Sequence, residues 1–186
     1  MFKAIVIGTS YGGLEALKII IKNLPEDFSL PILVVLHIGE HKCDSFIANL
    51  NKSTHMLVKE ADEKEKIQNG TIYFAPPNYH LLVDGPSNIA LSMSPKENHS
   101  RPSIDVLFES AAWHYKNQLI GILLTGLNDD GALGIKEIQD CGGITIVEDP
   151  KTAMASIMPA SAIRIMKPDF QLALNDIPSK IAELTK

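Results

Sequence analysis

Short apolar, β-branched runs alternate with stretches of helical period along most of this chain, and that alternation constrains the fold more than any other feature. Lys3 to Ile7, Ile32 to Leu36, Leu119 to Leu124 and Ile144 to Val147 each read as a buried strand, with Leu57 to Lys59 a shorter one. Between them Leu14, Leu17, Ile20 and Ile21 recur at helical spacing until Pro25 stops the helix, and Ser45 to Leu50 is helical. Ser103 is placed to cap a helix whose apolar face is Ile104, Leu107, Phe108 and Ala111. Ala132 to Gln139 forms another helix, stopped by Gly142-Gly143, and Ile177 to Leu184 forms the last. Strands that alternate with helices are joined by βαβ crossovers, so the expected fold is α/β: a doubly wound, mainly parallel sheet flanked by helices.

One region has a different texture. Thr71 to Ala75, Tyr79 to Val83 and Ile89 to Met93 alternate apolar and polar residues, with Asn69-Gly70, Pro76-Pro77-Asn78 and Asp84-Gly85-Pro86 as turns. Short strands with turns between them pair antiparallel, which adds a small hairpin element to the expected fold. At 186 residues the chain suits one domain spanning 1–186, with no repeat or linker.

Charge and cysteine content exclude several classes. Seventeen Lys and Arg against 22 Asp and Glu leave a net charge of −5, the wrong sign for coating nucleic acid or an anionic membrane. The two cysteines, Cys43 and Cys141, form neither a C-x-x-C metal pair nor a disulfide scaffold, which points to a reduced, cytoplasmic setting. A strand begins within a few residues of Met1, leaving no room for a secretory leader, and no apolar run approaches the roughly 18–20 residues that span a bilayer.

Chemistry-bearing residues stand where three strands should end. Ser10 lies in Gly8-Thr9-Ser10-Tyr11-Gly12-Gly13 directly after the first strand, in the G-x-S-x-G arrangement that presents a nucleophile on a tight strand-to-helix turn. A dinucleotide fingerprint would need glycine in place of Ser10, and no phosphate-loop lysine follows. His37 closes the second strand and can take a proton from Ser10 if the two strands are neighbours. Asp130 lies in Thr125-Gly126-Leu127-Asn128-Asp129-Asp130-Gly131, after the strand ending at Leu124. A carboxylate there can orient the imidazole and stabilise the imidazolium, while Gly126 and Leu127 offer backbone N–H groups for an oxyanion. Ordinary structural roles compete: a serine at a helix N-cap, a histidine bonding strand ends, and Asp129 or Asp130 capping the helix at Ala132. Of the other histidines, His41 and His55 are expected to be solvated, His99 to lie in a loop, His114 on a helix surface, and His80 either at the rim of the site or in a plain strand.

With these residues in place, the chain resembles the catalytic domain of the CheB-type chemotaxis protein-glutamate methylesterases. Gly70 to Val83, Arg101-Pro102-Ser103-Ile104-Asp105-Val106-Leu107-Phe108 and Leu124-Thr125-Gly126 carry the likeness beyond the three site stretches. The resemblance implies hydrolysis of glutamate γ-methyl esters, and deamidation of certain glutamines, on the cytoplasmic helical bundle of chemoreceptors. It also implies a separate response-regulator component as a partner, neither nucleic acid nor membrane insertion, and no cofactor. By motif match it makes Ser10 the nucleophile, His37 the base and Asp130 the orienting acid, with Tyr11, Gly12 and Leu127 around the oxyanion and Arg101 at the rim.

Departures from the family pattern accompany the match. Tyr11 replaces a threonine, Ile38-Gly39 replaces a Met-Pro pair, Leu127-Asn128-Asp129 replaces Met-Gly-Asn, and no receiver domain precedes the catalytic stretch. They keep open a stand-alone serine hydrolase of the same fold acting on another ester or amide, and an inert binding module.

Overall fold

The structure is a computed structural model that describes residues 1–37, 40–85 and 87–186, with backbone alone for 40–44. Ile38, Gly39 and Pro86, which figured in the loop and turn expectations, lie outside the described residues.

Among the described residues, seven strands form one parallel sheet: β1 (Ala4–Thr9), β2 (Ile32–Leu36), β3 (Leu57–Glu60), β4 (Thr71–Phe74), β7 (Leu119–Leu123), β8 (Ile144–Glu148) and β9 (Phe170–Leu172). Their order is β3-β4-β2-β1-β7-β8-β9. A two-stranded antiparallel hairpin, β5 (His80–Asp84) with β6 (Asn88–Ser92), stands apart. The helices are α1 (Gly13–Lys22), α2 (Glu40–Asn51), α3 (Ile104–Tyr115), α4 (Ala132–Asp140), α5 (Ile157–Ile165) and α6 (Ile177–Leu184).

The consecutive apolar residues of the central strands divide between two cores. Ile5 and Ile7 face α1, α2 and α6, while Ala4 and Val6 face α3, α4, α5 and the hairpin. Both faces are thereby covered, as a parallel sheet built from crossovers requires. One strand differs from expectation. The 71–75 segment is not part of the antiparallel element; Thr71–Phe74 inserts between β2 and β3 and pairs parallel with both. All four of its residues are buried, so they need cover on two faces, which a half-exposed hairpin does not supply.

Two details of this architecture aim the site. The order turns about β1, whose successor β2 lies on one side while β7 lies on the other. The loops leaving the carboxyl ends of β1 and β7 therefore lie side by side at the turning point of the sheet, the usual place for a ligand in such folds. Gly8 then lets α3 approach: a Cβ on Gly8 would lie 2.2 Å from the Ile104 side chain. The start of α3 is thus drawn against the strand that carries Ser10.

Candidate active site

Ser10 follows the last residue of β1, and the turn that carries it is pinned to the loop after β7. The Ser10 N–H donates to the Thr125 carbonyl (3.0 Å), and the Thr9 hydroxyl donates to the same oxygen (2.9 Å). Thr125 Oγ1 donates to the Tyr11 carbonyl (2.9 Å) and accepts from Ala155 N–H (2.8 Å). The Thr125 amide donates to the buried Glu148 carboxylate (2.8 Å). Burial pushes the Glu148 carboxyl up, and the Thr125 N–H draws it partly back. Gly12 has φ +85°, a left-handed conformation costly for other residues, and its Cβ position is 3.0 Å from Met154. Thr125 thus joins the nucleophile turn to two other loops, a role that the quoted Leu124-Thr125-Gly126 stretch did not suggest.

His37 leaves β2 beside this turn, its N–H donating to the Thr9 carbonyl (3.1 Å). Ser10, Tyr11, Gly12, His37, Phe46 and Met154 line one open cavity of about 750 Å³. The ring presents Nε2 to Asp130 Oδ2 at 3.0 Å, leaving Nδ1 for the serine. Nε2 is buried but its N–H is not aligned on that oxygen, so the contact is one of proximity that a modest ring rotation would turn into a hydrogen bond. Nor does a hydrogen bond join Ser10 to His37 among the described residues; such contacts often tighten only with substrate bound. A larger cavity, about 890 Å³, opens at the opposite end of the strands around Phe2, Phe28 and Leu184, remote from these groups.

Asp130 is fully buried. Its carboxylate does not cap its own helix: Gly131 occupies the N-cap of α4, with φ +94° and no side-chain cap. It receives the start of α3 instead. Oδ2 accepts Ile104 N–H (2.8 Å), and Oδ1 accepts the Ser103 hydroxyl (2.8 Å), Asp105 N–H (3.2 Å) and the Asn98 amide (3.3 Å). Burial alone would raise this carboxyl, but the His37 ring beside it and the bonds from the Ile104 and Asp105 amides hold it below the ordinary carboxylate range. It is anionic, and it sits at the positive end of α3.

Its neighbour titrates the other way. Asp105 is nearly buried and accepts Gly134 N–H (2.7 Å) and the Asn98 amide (2.7 Å). Burial, with the Asp130 charge adding to it, pushes this carboxyl up to about 6 against the pull of the Gly134 and Asn98 bonds. Between about pH 4, where the unfolded carboxyl ionises, and about 6, the folded chain holds a proton that the unfolded chain has released, so this residue's contribution falls as pH rises. The expected loss is on the order of 3 kcal/mol by pH 7. Urea midpoints of wild type and Asp105→Asn, measured from pH 4 to 7, should show the variant gaining on wild type as pH rises. A constant difference across that range would mean that the carboxyl titrates normally.

The remaining expected residues are dispersed. Tyr11 is 59% exposed at the cavity mouth and the Leu127 side chain 56% exposed. Of the two backbone donors considered, Gly126 N–H is committed to the Ala155 carbonyl (3.1 Å), which leaves Leu127. Arg101 does not line the cavity; its guanidinium donates to the Met93 (2.8 Å) and Ser94 (2.9 Å) carbonyls and ties down the loop before α3. His55 contacts the Phe28 carbonyl (2.9 Å), His114 is exposed and His99 is in the loop; the side chain of His41 lies outside the described residues. His80 is neither at the rim nor in a plain position: it is 1% exposed and bonded behind Asp130. Asn98 escaped the sequence reading, and Ser103, expected as the helix cap, does stand at the N-cap of α3 but sends its hydroxyl to Asp130 rather than to its own helix.

At the turning point of a parallel sheet, serine, histidine and aspartate from three strand ends come together, residue types suited to a hydrolytic centre. Comparison with known proteins makes this specific. The model of the CheB methylesterase family matches residues 5–181. A Leptospira interrogans protein, provisionally named protein-glutamate methylesterase/protein-glutamine glutaminase, is 47% identical over 183 residues, covering 98% of this chain and 93% of its own. The Thermotoga maritima protein-glutamate methylesterase/protein-glutamine glutaminase is 37% identical over 185 residues, and the chain spans 54% of its length. The crystal structure of the Thermotoga maritima CheB methylesterase catalytic domain matches with a TM-score of 0.93 at 36% identity, covering 100% of both chains. The chain belongs to the CheB methylesterase family, and is a hydrolase of that class.

Proposed function

We propose that residues 1–186 form one catalytic domain that hydrolyses glutamate γ-methyl esters on chemoreceptors, and deamidates receptor glutamines, through Ser10, His37 and Asp130. The observation that carries this is the 3.0 Å approach of His37 Nε2 to the buried Asp130 carboxylate, with Ser10 in the same cavity as the imidazole. The names of the relatives support the substrate class.

The chemistry follows from the geometry. Ser10 Oγ attacks the γ-carbonyl carbon as its proton passes to His37 Nδ1, the nitrogen turned away from Asp130. The tetrahedral oxyanion is stabilised by backbone N–H groups at Leu127 and at the Tyr11–Gly12 turn. Asp130, held anionic, stabilises the imidazolium. Collapse breaks the C–O bond, and His37 returns the proton to the departing methoxide as methanol. Water then attacks the acyl-serine with His37 as base, giving glutamate and free Ser10. With glutamine the same steps release ammonia.

The substrate surface is then the methylated helical bundle of a receptor in the cytoplasm, and a separate response-regulator component is the expected regulatory partner. Among the described residues no helix is long and apolar enough to cross a membrane.

Two measurements test the reading together: labelling of wild-type protein by a fluorophosphonate, mapped by peptide mass, and methanol release from a methylated receptor signalling fragment. Labelling at Ser10 with methanol release is expected. Turnover of p-nitrophenyl acetate without methanol release would favour a hydrolase for another ester, a reading that the exposed Tyr11 at the cavity mouth also supports. Absence of labelling would leave a binding module.

A further inference from the structure

His80 opens β5, on the hairpin that packs over α3, and lies outside the cavity that holds Ser10. Its ring is 1% exposed, and both nitrogens are bonded. Nδ1 accepts the Ser103 N–H (3.2 Å), so Nε2 carries the hydrogen and donates it to the Pro95 carbonyl (3.0 Å). The partner types permit only this neutral tautomer.

These two bonds clasp the loop between β6 and α3 at both of its ends. That loop delivers the groups that surround the orienting carboxylate. Ser103 Oγ donates to Asp130 Oδ1, the next two amides bond Asp130, and Asn98 reaches both Asp105 and Asp130. Pro102 has no N–H, so the Ser103 amide is the donor nearest the helix start through which the hairpin can hold this segment.

Resting on the triad reading above, we propose that His80 is a positioning residue for the reaction: its Nδ1 fixes Ser103, and through Ser103 it sets the direction of the Asp130 carboxylate toward His37. The imidazole touches neither substrate nor the reacting atoms. It acts by giving a buried amide its acceptor, since an unsatisfied buried N–H would pull the loop toward another partner and carry Asp130 with it.

A histidine can be divided into its two nitrogens by substitution. Asparagine places an amide oxygen where Nδ1 stood and keeps the acceptor for Ser103. Glutamine places an amide nitrogen near Nε2 and keeps the Pro95 bond, but leaves the Ser103 N–H without a partner. If the ring only staples the loop through Pro95, His80→Gln is the better replacement. If it positions Asp130, His80→Asn is.

The experiment measures kcat and KM for p-nitrophenyl acetate, the fluorophosphonate labelling rate of Ser10, and thermal unfolding, for wild type, His80→Asn and His80→Gln. Displacement of a catalytic group by a fraction of an ångström supports the expectation that His80→Gln loses about tenfold in kcat and labelling rate with KM nearly unchanged, while His80→Asn stays within about threefold of wild type. In a His37→Ala background, where the aim of Asp130 no longer matters, His80→Gln should cost nothing further in labelling rate. Glutamine performing as well as asparagine, a fall in melting temperature without a fall in kcat, or losses that multiply in the His37→Ala background would each overturn the assignment. Absence of Ser10 labelling in wild type would remove the triad reading first, and this one with it.

Discussion

Ser10→Ala is expected to lower methanol release from methylated receptor by roughly 10⁴-fold or more, with the melting temperature close to wild type. The separation of the two effects follows from where the bonds lie. The turn is held through the Ser10 amide and carbonyl, which alanine keeps: the N–H on Thr125 O, and the carbonyl accepting Gly13 N–H at 2.9 Å. Removing the hydroxyl therefore takes away the proposed nucleophile and little else, a stability change within about 0.5 kcal/mol. Methanol release by rapid quench and chromatography, with thermal unfolding alongside, checks both halves. Wild-type turnover in this variant would rule out the acyl-serine route.

Asp130→Ala should cost activity and stability together. In the proposed triad the carboxylate orients His37, and loss of the orienting acid in triads lowers turnover by about 10⁴-fold. It is also what the start of α3 is built on: without it the Ile104 and Asp105 amides, the Ser103 hydroxyl and the His37 ring lose a buried partner at once. Removing one side of such an arrangement costs about 3–5 kcal/mol. Asp130→Asn does not escape. Each carboxylate oxygen accepts a backbone N–H, so whichever way the amide is turned its NH₂ faces a donor. Urea unfolding of both variants beside Ser10→Ala is the check: the alanine and asparagine variants should have markedly lower midpoints. If Asp130→Asn matched wild type in stability, the bonding described at the helix start would be wrong.

The core of the fold was legible because its signal is local. Ile5 and Ile7 against Ala4 and Val6, or Ile32 and Val34 against Leu33 and Val35, are apolar at every position, and only a strand covered on two faces uses them all. Helix starts after Gly12 and Gly131 were equally plain. The 71–74 strand was placed in the wrong sheet because its alternation resembles that of the hairpin beside it. Its polar positions turned out to be a buried threonine and a tyrosine whose hydroxyl accepts from Gln68 N–H (3.0 Å). Apparent polarity on paper is not exposure when the polar atom has a partner.

The site was legible to a different depth at each residue. Ser10 and His37 end neighbouring strands, and Thr9 pairs with Leu36 across that boundary, so their common edge followed from the crossover rule. Asp130 was recognised as an acid at a third strand end, but its second employment, at the start of a helix 26 residues earlier, carries no sequence signal. The same holds for Thr125, Asn98, Ser103 and His80, which are ordinary polar residues until the chain brings them around one carboxylate and one turn. Arg101 is the converse: prominent in its motif, yet bonded to two carbonyls of its own loop.

Strand and helix periods, the glycines that permit the turns, and the residue types at three strand ends are properties of neighbouring positions, and the amino-acid order settles them because local sterics and hydrophobic periodicity act over a few residues. Which buried donor meets which buried acceptor is decided only when remote segments share one volume. Hydrogen bonds and desolvation depend on ångström-scale separations across the fold, so the anionic Asp130, the raised titration of Asp105 and the single tautomer of His80 belong to the tertiary structure.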